Sequence, residues 1–249
     1  MGWDAAWTPH GSGAWCILEE RNRMWVPVEY ASTPQGRSEM KRELNRLIKE
    51  WSPSLIAIDM PVADEPVTGY READRATTRA FSRFGCPVHS PTPQRPGGWG
   101  EFCVQILHEK GYRCKTGLPL EGLSFVEVYP HTALLKLLRL SKRFPYKISR
   151  ASRYWPEGSP AQRKEKILQH FEIILEALAQ DLEMSDVEMR ASIDSSLREI
   201  KQVEDHVDAF ICAWSALQIR KRQFRPFGNP NAAIWNPMVK ELDLMARSP

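Results

Sequence analysis

The sequence predicts an α/β protein with a mixed sheet, and three observations carry that expectation. Strand-like runs at 2–7, 14–19 and 24–30 are joined by a turn at Pro9 and Gly11-Ser12-Gly13 and by the polar Glu20-Arg21-Asn22-Arg23, which reads as an antiparallel meander. An amphipathic pattern over 35–51 leads into Leu55-Ile56-Ala57-Ile58-Asp59, a continuous apolar run of the kind a strand buried on both faces shows. Late in the chain Val203, Val207, Phe210, Ile211, Trp214 and Leu217 recur at the spacing of a helix face packed on a core.

The first helix, over 35–51, turns Met40, Leu44, Leu47, Ile48 and Trp51 inward and stops at Ser52-Pro53. A second helix is expected over 71–84, followed by a rigid loop over 86–98 punctuated by Pro and Gly. A helix over 100–111, a strand over 124–130 and a short helix over 131–140 come next. The segments 162–180 and 185–203 are helical in pattern and form an antiparallel pair added to the core. The last helix starts at about 203 with an acidic first turn and runs to about Arg222, and 232–235 is a final short strand or edge segment. No internal repeat or low-complexity linker occurs, so residues 1–249 read as one domain with a helical insertion at about 140–200.

The balance of 34 Lys+Arg against 31 Asp+Glu gives only +3, too little to argue for nucleic acid by itself. Five cysteines (Cys16, Cys86, Cys103, Cys114 and Cys212), an odd number without a CxxC pair, suit reduced thiols in a cytosolic protein. Cys86, His89, Cys103 and His108 match no standard zinc spacing. The start has no basic region leading into an apolar run, and no apolar run reaches about 18 residues. A soluble, cytoplasmic protein without a membrane partner is therefore expected.

The chemistry lies in the acids. Asp4, Asp59 and Glu127 each fall in an expected strand among apolar residues, and Asp205 and Asp208 lie one turn apart on the last helix. Asp208 is flanked by Val207, Ala209, Phe210 and Ile211, where an unpaired carboxylate costs several kcal/mol or stays protonated. The helix dipole alone would favour an acidic first turn. Carboxylates converging from several strands need more, and an all-oxygen donor set selects Mg²⁺ or Mn²⁺ over zinc. Two such ions can activate water and stabilise the leaving oxygen in phosphodiester cleavage. The stretch 139–153 collects Arg139, Lys142, Arg143, Lys147, Arg150 and Arg153 without an acid, beside Phe144, Tyr146, Tyr154 and Trp155. Such a stretch suits a phosphate backbone with stacked bases, or a solvated loop. Arg71, Asp74 and Arg79 either clamp a phosphate or brace the loop that follows.

Asp4 on a first strand, the meander, Asp59 on the fourth strand and acids on the last helix resemble the RNase H-like superfamily. Asp205-His206-Val207-Asp208-Ala209, followed by apolar residues, is similar to the acidic helix of the RuvC resolvases. The closest resemblance is to an uncharacterised group of predicted nucleases, domain of unknown function four-two-nine. It is carried by Gly2-Trp3-Asp4, Ile58-Asp59-Met60-Pro61, Arg71 to Arg75, Cys86-Pro87-Val88-His89, Glu127-Val128-Tyr129-Pro130, the acidic helix and Ile234-Trp235-Asn236-Pro237.

The resemblance implies a five-stranded mixed sheet flanked by helices and a Mg- or Mn-dependent hydrolysis of DNA or RNA. It implies Asp4 as the central metal ligand, with Asp59 beside it, Asp208 or Asp205 completing the set and Glu127 as a further candidate. Arg71, Asp74, Arg79, Lys142, Arg143 and Lys147 are the candidate substrate contacts, nucleic acid is the expected partner, and a resolvase-like activity brings a homodimer with it. The competing reading is a catalytically silent nucleic-acid- or partner-binding protein on the same fold. A phosphotransferase of the actin and sugar-kinase architecture would need a duplicated fold and Gly-rich phosphate loops, neither of which this sequence offers.

Overall fold

Alternating residue faces and one close helix–strand contact decide how the chain stacks. The computed structural model describes residues 1–92, 97–189 and 191–240. The meander forms as expected: β1 (Gly2–Asp4) pairs antiparallel with β2 (Ala14–Arg21), and β2 with β3 (Met24–Ser32). On its other side β1 runs parallel to β4 (Leu55–Ile58), which runs parallel to β6 (Ser124–Val128). The two-residue β5 (Arg113–Cys114) and β8 (Ala232–Pro237) both lie parallel to β6, and β7 (Phe224–Asn229) pairs antiparallel with β8.

Among the described residues the sheet therefore has eight strands, in the order β3-β2-β1-β4-β6-β8-β7 with β5 beside β6. This exceeds the five expected. The excess lies beyond β6, where 232–235, read as a final short strand or edge segment, is an inner strand flanked by β7. Pro226 and Gly228 disguise β7 in the sequence, and an edge strand tolerates both.

Helices α1 (Arg37–Trp51) and α3 (Gly98–Glu109) cover one face of the sheet, over Trp3, Ile56, Ile58 and Phe125. The other face, with Leu55, Ala57, Val126 and Val128, is covered by α4 (Pro130–Leu137), α6 (Pro160–Leu178) and α7 (Leu197–Arg220). Helix α2 (Glu72–Phe81) packs on the β7–β8 hairpin, and the short α5 (Ala151–Tyr154) precedes α6. The seven helices described include none long and apolar enough to cross a membrane. The loop expected over 86–98 is described except at 93–96, and the tail beyond 240 lies outside the described residues.

Helix α7 departs from expectation at its start. Nothing breaks it near 203: it begins at Leu197 behind a capping box in which Ser196 Oγ accepts from the Glu199 N–H and Glu199 accepts from the Ser196 N–H. The helix expected over 185–203 is thus mostly irregular chain, with residue 190 outside the described set, and its last part belongs to α7. Asp205 becomes the ninth residue of the helix, out of reach of the N-terminal dipole that an acidic first turn would enjoy.

Gly2 brings β1 against this helix. A Cβ there would sit 2.1 Å from the Ala213 nitrogen and 2.2 Å from the Ala209 oxygen, so only a glycine lets the strand lie on the α7 backbone, over two alanines one turn apart. Gly2→Val is expected to force strand and helix apart and to lower stability by about 3 kcal/mol, read from urea denaturation. An unchanged midpoint would show that the contact does not position β1.

Candidate functional site

Strand parity and register deliver the acids. Gly2 faces α7, so Asp4, two residues on, faces it too. Leu55 and Ala57 face the same way, and Asp59 follows in step just past β4. Trp3 pairs with Ile58, and the Asp59 N–H donates to the Trp3 carbonyl at 2.9 Å, so Asp4 and Asp59 emerge side by side at the carboxyl ends of two parallel strands. In open α/β sheets such ends are where ligands bind. From the opposite side α7 presents Glu204, Asp205 and Asp208, all at most 1% exposed.

Each carboxyl feels the others. Burial raises the Asp4 pKa well above its ordinary value, and repulsion from Asp208, Asp205 and Asp59 adds to it against the pull of Lys147. Asp59 is pushed up to about 8, first by burial and then by Asp208. Asp208 is raised by burial against the opposing effect of Lys147. Burial pushes Glu204 up as well, but Lys147, Lys201 and the Ile148 N–H at 2.6 Å together hold it below its ordinary value.

Two ammonium groups enter this cluster. Lys147 Nζ donates to Asp208 and lies 3.5 Å from Glu204. Lys201 Nζ donates to Asp205 and sits 3.0 Å from Glu204. The Tyr146 hydroxyl donates to the other Asp208 oxygen at 2.6 Å. Burial alone would discharge Lys147, yet Asp208, Tyr146, Glu204 and Asp4 reverse that and keep it an ammonium. Five carboxyl groups thus share two lysines.

The donor set fits a hard divalent cation in kind, since every side chain offered is a carboxylate. Asp205 Oδ2 is buried and has no hydrogen-bond partner, and Asp4 and Asp59 carry the raised pKa values of groups short of positive charge. The lysines nonetheless stand on Asp208 and Asp205, and among the described residues no three His, Cys, Asp or Glu side chains converge closely enough to hold an ion as arranged. An entering cation would take over positions that Lys147 and Lys201 hold.

Above the cluster opens a cleft of about 430 Å³. Its walls include Asp59, Glu204, Lys147 and Tyr146, with Arg143 and Arg150 on one side and Trp7 against His89, ring centroids 5.3 Å apart, on the rim. The sequence candidates distribute unevenly around it. Arg143 and Lys147 line the cleft, whereas Arg79 and Lys142 are exposed and outside its walls. Arg71 turns inward: it makes a bidentate pair with Glu127, at 2.6 and 2.8 Å, and also binds Asp74 at 2.9 Å, so it braces the protein.

Glu127 points toward the other face of the sheet, yet it still lines part of the cleft and adds to the repulsion that raises the Asp59 pKa. It pairs in register with Ile58, opposite in parity to Asp59, and its oxygens are engaged by Arg71 and by the Val62 N–H at 3.0 Å. Those bonds account for Glu127 without an ion. Sequence reasoning passed over Glu204, Lys201, Tyr146 and His131 as site residues. Lys201 was legible, because it stands three and four residues before Glu204 and Asp205 on one helix.

The raised carboxyl pKa values set a pH dependence. In the folded protein Asp4 and Asp59 hold protons that the unfolded chain releases near its ordinary carboxyl pKa, so their contribution is full below that pKa and is lost as pH rises toward the folded value, about 8 for Asp59. In chelator, Tm is expected to fall between about pH 5 and about pH 8.5, and Asp59→Asn to flatten the fall. A Tm that rises over this window, or a slope unaffected by Asp59→Asn, would contradict the assignment.

Residues 119–232 match the family model described as Protein of unknown function (DUF429), and the matched span holds the α7 acids together with Tyr146, Lys147 and Lys201. No curated protein and no solved structure matches the chain. The match covers less than half of the chain; of the segments that resemble this group it includes Glu127-Val128-Tyr129-Pro130 and the acidic helix.

Proposed function

We propose that this protein is a divalent-metal-dependent nuclease on an RNase H-like fold, hydrolysing phosphodiester bonds of DNA or RNA. One observation carries the reading: Asp4 on β1, Asp59 at the end of β4 and Asp205 and Asp208 in mid-α7 come within electrostatic reach of one another beside a cleft lined by Arg143, Arg150, Lys147 and Lys201. Asp4, Asp59, Asp205 and Asp208 are the residues that would hold Mg²⁺ or Mn²⁺. A bound ion would supply an activated water and charge stabilisation at the leaving oxygen.

The chain's own residues do the rest. Arg143 and Arg150 attract and orient the phosphates of the strand, Tyr146 holds Asp208 in place through its hydroxyl, and Trp7 with His89 offers an aromatic surface for an unstacked base. Glu127 and Arg71 keep the loop after β4 in shape through the Val62 N–H.

A second reading rests on the two lysines. Lys147 and Lys201 already neutralise part of the cluster, as a cation-independent binding protein on the same fold would require. Lys147→Met separates the two. The substitution leaves Asp208 without its ammonium and is expected to cost about 3 kcal/mol in chelator. If a metal belongs here, Mn²⁺ restores the loss and binds the variant more tightly than the parent in calorimetry. If Mn²⁺ neither binds nor stabilises either protein, the cation-independent reading stands.

Activity is tested on a panel of single-stranded, duplex and branched DNA and RNA with Mn²⁺. Asp4→Asn and Asp208→Asn are each expected to lower cleavage at least about 100-fold, since even outer-shell changes around metals cost 10–100-fold. Equal cleavage by parent and both variants would remove the proposal.

A further inference from the structure

His131 stands at the start of α4, just after β6, with its ring edge-on to Tyr129 and Tyr146 at centroid distances of 5.4 and 5.2 Å. Arg143 Nη2 donates to His131 Nε2. A guanidinium can only donate, so Nε2 is the acceptor and the ring's one proton sits on Nδ1. Burial, reinforced by Arg143, Lys147 and Arg150, holds the His131 pKa well below its ordinary value, so the ring is neutral and its tautomer is fixed by the arginine.

Two N–H donors remain. His131 Nδ1 and Arg143 Nε are buried without hydrogen-bond partners, in side chains that touch each other and line the same cleft. His131 is only 5% exposed. Leaving such donors unpaired is unfavourable, and Arg143 and Arg150 give this wall a positive potential. Tyr146 packs on His131 and donates to Asp208, so one aromatic ring separates these donors from the carboxylates.

We propose that His131 Nδ1–H and Arg143 Nε–H form a phosphate-oxygen subsite, and that it takes the strand phosphate next to the one hydrolysed. The placement beside the scissile phosphate rests on the nuclease reading; the phosphate binding does not. Unpaired N–H donors beside a fixed guanidinium charge suit phosphate oxygens, and a single-ring offset from the acids suits consecutive phosphates of one strand.

Binding is measured by calorimetry in chelator, so that no cation takes part. The probes are inorganic phosphate and a thymidine dinucleotide with and without a 5′-phosphate. The 5′-phosphate is expected to tighten binding to the parent about tenfold or more, the worth of one charge-assisted hydrogen bond. That advantage should vanish in His131→Phe and in Arg143→Lys, which keeps the charge but lacks Nε–H. His131→Asn, whose carboxamide can place an N–H near the Nδ1 position, should regain part of it.

Equal binding of the two dinucleotides would overturn the subsite, as would an advantage that survives Arg143→Lys. Nitrogen-15 NMR placing the His131 proton on Nε2 would do the same even if His131→Phe fails to fold. Inorganic phosphate binding as tightly as the phosphorylated dinucleotide would overturn the strand assignment. Cleavage unchanged by Asp4→Asn would remove the nuclease reading yet leave these phosphate-binding measurements untouched, so the two proposals fail separately.

Discussion

Buried negative charge is the constraint around which this structure is arranged, and the contact of Lys147 with Asp208 is its main relief. Asp208 is fully buried in the middle of a 24-residue helix whose neighbours at 207 and 209–213 are also buried. An ionised side chain there has no water to turn to, and the cost of an isolated carboxylate would rival the roughly 5–15 kcal/mol by which most domains are stable. The ammonium from the segment after α4 and the Tyr146 hydroxyl make the helix position tolerable. They do not complete the neutralisation, since Asp4 and Asp59 still hold protons well above the usual carboxyl range.

The backbone has to come close for this charge to concentrate at all. Gly2 lets β1 lie on the α7 main chain, and Ala209 and Ala213 provide the shallow helix surface that receives it. A bulkier strand or helix residue would lengthen every separation between Asp4 and the α7 acids, and the mutual repulsion that raises their pKa values would weaken with distance. Packing and electrostatics are therefore one feature: the small residues at the strand–helix contact determine how strongly the carboxylates interact.

Much of the architecture was readable from local pattern. The meander, the helix over 35–51, the apolar strand ending at Asp59 and the strand carrying Glu127 reappear with boundaries shifted by a few residues. Strand β7, and with it the β7–β8 hairpin pairing, was hidden because Pro226 and Gly228 break the strand pattern, whereas β8 was read at 232–235; the start of α7 was misplaced because Val203 to Leu217 is so strongly periodic that the capping box at Ser196 was passed over. For the site, period-2 alternation says that Glu127 and Val126 face opposite ways, but not which of them faces α7; the register Ile58–Glu127 decides it, and register is a tertiary property. The same limit explains Arg71. Its neighbour Asp74 is local, whereas its bidentate partner Glu127 lies 56 residues away.

The segment read as a helical insertion at about 140–200 does more than decorate the fold. The sheet and α7 contribute mainly carboxylates, while Arg143, Tyr146, Lys147 and Arg150 all come from its first ten or so residues. That segment closes over the strand ends with the opposite charge, supplies the Ile148 N–H that Glu204 accepts, and forms one wall of the cleft. Charge therefore divides across Tyr146: carboxylates with two embedded lysines on one side, His131 and Arg143 with unpaired N–H groups on the other. A ligand that satisfies both sides must carry anionic oxygens toward the arginine wall and tolerate, or bring cations to, the acidic floor. Phosphate esters accompanied by divalent ions have that character, whereas a simple carboxylate or an uncharged sugar would leave one side of the cleft electrostatically unanswered.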